Sequence, residues 1–187
     1  LEQGSRRIHQ IHPQAGRYQL SHARGIAWQA LKMAALDAVM LWLSQWGILV
    51  PVFCVLLTRD KKAIVKALLS FAVAYVLTDV LKEVVARARP FVAGDAQLIG
   101  PQPADQWSFP SKHASLSFSL ATSAGLARRV HGYVALIFAV LISYSRVYLG
   151  VHYWSDIIAG AVLGTVVAFG VDCAFERFEK RGKRKNK

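Results

Sequence analysis

The chain has 187 residues, of which 54% are hydrophobic, with a mean hydropathy of +0.32 and a formal net charge of +12. This length and apolarity bound it to one domain and argue against a soluble enzyme of ordinary composition. The charge does not make a nucleic-acid face, because Lys and Arg collect in short loops between apolar runs and in the tail Lys180–Lys187. No nucleic-acid partner is expected.

Residues 1–33 are polar, with Arg6, Arg7, Arg17 and Arg24 interleaved among Ile8, Ile11, Leu20 and Trp28. The segment reads either as an amphipathic helix on a membrane surface or as a flexible tail. From Ile26 onward no breaker interrupts a helix. Its polarity reads against a cleavable signal peptide, and nothing is drawn from Leu1–Ser5.

Five apolar runs follow, over 34–57, 63–81, 114–127, 132–151 and 155–175. Four approach the ~20 residues that a bilayer crossing needs. The third is short and carries Ser115, Ser117, Ser119, Thr122 and Ser123, so it is expected to pack inside the bundle. The expected fold is therefore all-α, a polytopic transmembrane bundle of five spans, or six, over 34–175, with a basic cytoplasmic tail over 176–187. The alternative is a soluble helical bundle. Cys54 and Cys173 both fall in apolar runs and read as small buried hydrophobes, without a ligand set for metal.

With five spans, the basic turn at 59–62, the pair Arg128 and Arg129, and the basic tail share one side, which should be cytoplasmic. The segments richest in chemistry then face the opposite side. The first is Lys82, Arg87 and Arg89-Pro90. A helix continuing past Leu81 would return Lys82 and Arg89 to one face after two turns. Arg87 reads as a basic rim residue, paired with Glu83, and Asp79 as the partner of Lys82.

The second segment is Pro110-Ser111-Lys112-His113, directly before the third run. Ser111 is a natural N-cap there, and a helix N-terminus binds anions through free amides. The third segment begins at Ser145-Arg146 and ends at His152 and Asp156. Arg146 can clamp two phosphate oxygens with its planar fork. Asp156, four residues after His152, can orient the imidazole as a nucleophile.

Taken together, these segments resemble the type 2 phosphatidic acid phosphatase (PAP2) superfamily, whose motifs read KxxxxxxRP, PSGH and SRxxxxxHxxxD. The resemblance covers Lys82 to Asp156 in order, with Lys112 standing where the pattern has glycine. It implies the helical core that the superfamily shares with vanadium haloperoxidases. It also implies a metal-independent, cofactor-free lipid phosphatase working through a phosphohistidine. His152 would be the nucleophile, Asp156 its orienting partner, and His113 the general acid and then base. Lys82, Arg89, Ser111, Arg146 and the backbone amide of Lys112 would hold the phosphoryl oxygens. The Lys112 ammonium would either meet a second phosphate or point at lipid headgroups.

A site at a bilayer surface favours a lipid-linked substrate. Arg89-Pro-Phe-Val92 and Ser108-Phe-Pro-Ser111 look most like the undecaprenyl pyrophosphate phosphatases, which implies a bacterial plasma membrane and an extracytoplasmic active site. Phosphatidylglycerophosphate, phosphatidic acid and lipid A are the alternative substrates. A haloperoxidase or a non-enzymatic lipid carrier or scramblase on the same bundle is the distant alternative. The oligomeric state is left open.

Overall fold

A computed structural model describes residues 31–185 of the chain, without the side chain of Lys185. The expected interfacial segment therefore lies outside the described residues, apart from its last three. The chain divides into two units, Leu1–Ala38 and Val39–Lys187, and the second holds all three motif segments. Among the described residues every regular element is helical.

The first apolar run is broken. Helix α1 (Leu31–Trp46) and α2 (Leu49–Leu57) meet at a 50° bend within the run expected as the first span. After the turn at Arg59 comes α3 (Lys61–Val85), capped by the Asp60 carboxylate on the N–H of Lys62 at 2.9 Å. A one-turn helix, α4 (Pro90–Ala93), leads into a long loop over 94–111. Then follow α5 (Lys112–Ala127), α6 (Arg129–Tyr148) and α7 (Trp154–Lys185). The helix α7 continues unbroken through the segment that the sequence had set apart as a tail from 176.

The outside of the bundle is apolar. Leu68 and Val76 on α3, Ile137 and Val140 on α6, and Val162 and Val166 on α7 are all exposed. Continuous apolar surface on this scale suits lipid rather than water. Helices α3, α6 and α7 are each long and apolar enough to cross a membrane, and the bent α1–α2 pair makes up to a fourth such span. Helix α5, at 16 residues, is enclosed instead, packing against α2, α3, α6 and α7. Cys54 is buried as expected, whereas Cys173 is exposed on α7, because its position turns to the outer face of that helix.

Small residues allow the enclosure. A Cβ at Gly164 would lie 2.0 Å from the carbonyl oxygen of Ser115, and one at Gly160 would lie 2.6 Å from that of Ser111. The backbones of α5 and α7 therefore touch along one seam. Serine hydroxyls inside α5 turn back onto its own carbonyls, Ser117 onto His113 at 2.7 Å and Ser119 onto Leu116 at 2.9 Å. Ser117 and Ser119 thus sit inside the bundle with their hydroxyl groups satisfied.

Candidate active site

The three motif segments meet at one end of the bundle. The N–H of Ser108 donates to the carbonyl of Arg87 at 2.9 Å, that of Ser111 to Asp156 at 3.0 Å, and that of Ile99 to Leu149 at 3.2 Å. The other end is closed by ion pairs, Lys62 with Glu179 and Lys66 with Asp172, both at 2.6 Å.

Lys82 and Arg89 converge, though not by helical periodicity. Helix α3 stops at Val85, Ala86 takes a left-handed conformation (φ 49°), and its N–H closes on the carbonyl of Lys82. The chain then runs extended to Arg89, which precedes Pro90 at the first position of α4. This reversal carries the guanidinium back over the end of α3. Both cations are buried, and both grip Asp105 of the long loop. Lys82 Nζ lies 2.8 Å from Oδ2, and Arg89 Nη2 lies 2.6 Å from Oδ1. Lys82 also donates to the carbonyl of Trp107, and Arg89 Nη1 to that of Val151 at 2.8 Å.

The expected local partners are overturned. Asp79 binds Lys112 at 2.5 Å, not Lys82, because Lys82 turns inward to the loop. Glu83 accepts from the indole of Trp107 at 3.3 Å and leaves Arg87 free of it, since Arg87 lies beyond the helix end. Arg87 is not a rim residue. Its Nη1 donates to Ser155 Oγ at 2.6 Å and to Asp156 Oδ1 at 3.0 Å, and the guanidinium stacks 4.0 Å over the Tyr153 ring.

His152 and Asp156 form the expected pair across the start of α7, with His152 Nδ1 3.5 Å from Asp156 Oδ2. At that separation the buried Nδ1 has no hydrogen-bond partner among the described residues, and such contacts are often long without substrate. The same carboxylate oxygen accepts the N–H of Tyr153 at 2.9 Å, which fixes the acid. The ring's other nitrogen, Nε2, faces Arg89 Nη1 at 3.4 Å. His152 is buried, and burial first of all holds its pKa down at about 4. The contact with Asp156 opposes that shift, while the charges of Arg146, Arg89 and Lys82 add to it. Gly150, at φ 73°, makes the turn that delivers His152, and a Cβ there would lie 2.3 Å from the Gln97 carbonyl oxygen.

Ser111 occupies the N-cap position of α5, but its hydroxyl makes no cap bond. Buried Oγ has no hydrogen-bond partner among the described residues. The first-turn amides of α5 lack intrahelical partners by helix geometry, so hydroxyl and amides together can receive an anion. The Lys112 side chain does not reach that place. It is tied to Asp79 and lies 4.4 Å over the Tyr75 ring on α3. His113 and Arg146 line a cavity of about 220 Å³ with Ser44, Gln102 and Val151. Arg146 Nη1 donates to Ser44 Oγ, and its buried Nε has no partner among the described residues. Another cavity, about 180 Å³, lies at the far end between Lys66 and Asp172, away from every motif residue.

The structure thus gathers Lys82, Arg89, Ser111, His113, Arg146, His152 and Asp156 at one end. It separates only the Lys112 ammonium from them. Three contributors escaped the sequence: Asp105, Arg87 as a grip on Asp156, and Ser44 on α1. Ser44 and Asp105 sit outside any motif spacing, and nothing in their neighbours marks them.

Comparison with known proteins agrees with this arrangement. Residues 63–179 match the model of the PAP2 superfamily. An undecaprenyl-diphosphatase of Sulfolobus acidocaldarius is 38% identical over 74% of this chain and 70% of its own length. The putative undecaprenyl-diphosphatase YbjG of Escherichia coli is 30% identical over 82% of this chain and 72% of its own. The crystal structure of Aquifex aeolicus LpxE superposes with a TM-score of 0.64 at 26% identity, covering 73% of this chain and 85% of that one. Together with its apolar bundle, these findings make the protein an integral membrane lipid phosphatase, and the chain belongs to the PAP2 superfamily.

Proposed function

We propose that the protein hydrolyses undecaprenyl diphosphate to undecaprenyl phosphate and inorganic phosphate. The observation that carries the reading is the cluster around His152 Nε2. Asp156 lies behind Nδ1, the Arg89 guanidinium lies 3.4 Å from Nε2, and the charges of Arg146, Arg89 and Lys82 act on the ring. The choice of lipid rests on the named activity of the relatives and on the motif flanks.

His152 Nε2 attacks the terminal phosphorus, forming a P–N bond as the bond from phosphorus to the bridging oxygen breaks. His113, protonated as the anionic substrate enters beside it, gives that proton to the leaving oxygen. Water then attacks the phosphohistidine, His113 takes its proton, and the P–N bond breaks to release phosphate. Asp156 holds the imidazole and stabilises its positive charge. Lys82, Arg89, Arg146, Ser111 and the Lys112 amide hold the phosphoryl oxygens, so charge develops against fixed cations rather than a metal.

The motif end faces the extracytoplasmic side of a plasma membrane, with the end bearing Arg59, Lys62 and Arg128 in the cytoplasm. A reporter fused after Lys187 should therefore be active only as a cytoplasmic reporter.

The test is phosphate release by detergent-purified protein in EDTA, from undecaprenyl diphosphate, phosphatidylglycerophosphate, phosphatidic acid and lipid A. Release from the diphosphate should dominate, vanadate should inhibit it, and His152→Ala should abolish it. A strict Mg²⁺ requirement would overturn the mechanism. Equal release from all four lipids would overturn the choice of substrate.

A further inference from the structure

We propose that Asp105 competes with the substrate's phosphoryl group for Lys82 and Arg89, so that the loop over 94–111 sets the enzyme's affinity for phosphate. The proposal rests on the reading that these two cations hold the phosphoryl group.

Asp105 imitates a phosphate in its contacts. One carboxylate oxygen takes the ammonium of Lys82 at 2.8 Å and the other takes the Arg89 fork at 2.6 Å. Its backbone carbonyl takes Arg89 Nε at 3.1 Å. Two oxygens on one centre bridging an ammonium and a guanidinium is the arrangement a bound phosphoryl group needs. Arg89 commits three of its five N–H donors, two to Asp105 and one to Val151, so displacing Asp105 frees two of them for a phosphoryl group.

The two sides of this contact differ in freedom. The side chains of Lys82 and Arg89 are 3% and 2% exposed, whereas that of Asp105 is 42% exposed. Asp105 also belongs to a loop rather than a helix, so it can leave without moving the bundle. The cations cannot be left bare, because a buried unpaired charge is costly. An incoming dianion satisfies them in its place.

Asp105 is thus a determinant of affinity rather than a catalytic residue. The experiment measures binding of inorganic phosphate and orthovanadate to detergent-purified wild-type, Asp105→Asn and Asp95→Asn proteins, and KM and kcat for lipid substrate. Asp105→Asn should tighten both anions roughly tenfold, the range for losing a partly exposed charged competitor, and should lower KM without lowering kcat. Asp105→Glu should return affinity toward wild type. Asp95→Asn removes a charge from the same loop, where Asp95 binds Tyr153, and should leave anion affinity unchanged.

Unchanged or weaker anion binding in Asp105→Asn, or a fall in kcat alone, would overturn the proposal and make Asp105 a fixed support for the two cations. A Lys82→Ala protein that binds phosphate as well as wild type would instead remove the underlying reading. Should Asp105→Asn fail to fold, the wild-type protein still decides. Vanadate should speed hydrogen exchange around 104–107 if Asp105 is displaced, and slow it if Asp105 stays.

Discussion

Arg87 Nη1 stands 3.0 Å from Oδ1 of Asp156, so the first motif segment grips the acid of the third. The other oxygen of Asp156 faces His152 and the N–H of Tyr153, and every side of that carboxylate is thereby held. Arg87 contacts neither His152 nor the side chains proposed to hold phosphate. It is a positioning residue that acts through Asp156.

Arg87→Ala should therefore lower kcat roughly three- to tenfold, a discounted value because the arginine side chain is over a third exposed, while KM stays near wild type. The loss should be much smaller in an Asp156→Asn background, where the acid has no charge to hold. Full additivity of the two substitutions would show that Arg87 serves only the local fold.

The acidity of His152 gives a second prediction. Its pKa is pushed down to about 4 from an ordinary 6.5, so the ring is held neutral at physiological pH, as the proposed nucleophile requires. An NMR titration of labelled protein in detergent should show the His152 imidazole titrating well below an ordinary histidine. The unfolded chain binds the proton first, so stability falls as pH drops from about 6.5 through about 4. Asp105 is the later loss. Burial alone would raise its carboxyl, but the hydrogen bond and charge of Lys82, and then the charge of Arg89, outweigh this and hold it at about 2. Its contribution is present above about 3.8 and disappears only as pH falls toward 2. A His152 that titrates near 6.5 would contradict the buried arrangement.

The apolar runs and the pairing of His152 with Asp156 were legible because each rests on short-range pattern. Run length shows in hydropathy, and His152 and Asp156 are separated by one helical turn. The convergence of Lys82 with Arg89 was legible in outcome but not in cause, since the helix end at Val85 and the reversal at Ala86 replace the expected two turns. What stayed hidden depends on tertiary closure. Asp105 lies in a loop whose path only the packed bundle determines, and Ser44 reaches Arg146 from α1, 102 residues away in sequence. The pairing of Asp79 went astray for the same reason. The i+3 neighbour Lys82 had a better partner across space.

Lys112 gives a third prediction. A cation in place of glycine suggested a contact with a second phosphate, but its ammonium is held by Asp79 and by the Tyr75 ring. Lys112→Ala should keep the ratio of kcat/KM for diphosphate over monophosphate lipids within about twofold. It should cost roughly 0.5–1 kcal/mol of stability, the scale of a partly exposed ion pair. A collapse of that ratio would mean that the ammonium leaves Asp79 for the substrate.

The seam between α5 and α7 gives the last prediction. A Cβ at Gly164 would fall 2.0 Å from the Ser115 carbonyl oxygen, and no backbone there can yield without moving a helix. Gly164→Ala should destabilise by about 1–3 kcal/mol, the usual cost of overpacking, and lower Tm in detergent. The same seam holds the N–H of Ser111 on the Asp156 carbonyl at 3.0 Å, so spreading it separates the N-terminus of α5, proposed to bind phosphate, from the His152–Asp156 pair. Activity should therefore fall further than stability explains when assayed well below the variant's Tm. Gly170, on the same helix, has nothing within 4 Å of an added Cβ. There alanine should be neutral or stabilising by up to about 1 kcal/mol, because it removes only glycine's entropic cost. Equal effects at the two positions would show that the contact between α5 and α7 is looser than the structure describes, and that Ser111 is held by other means.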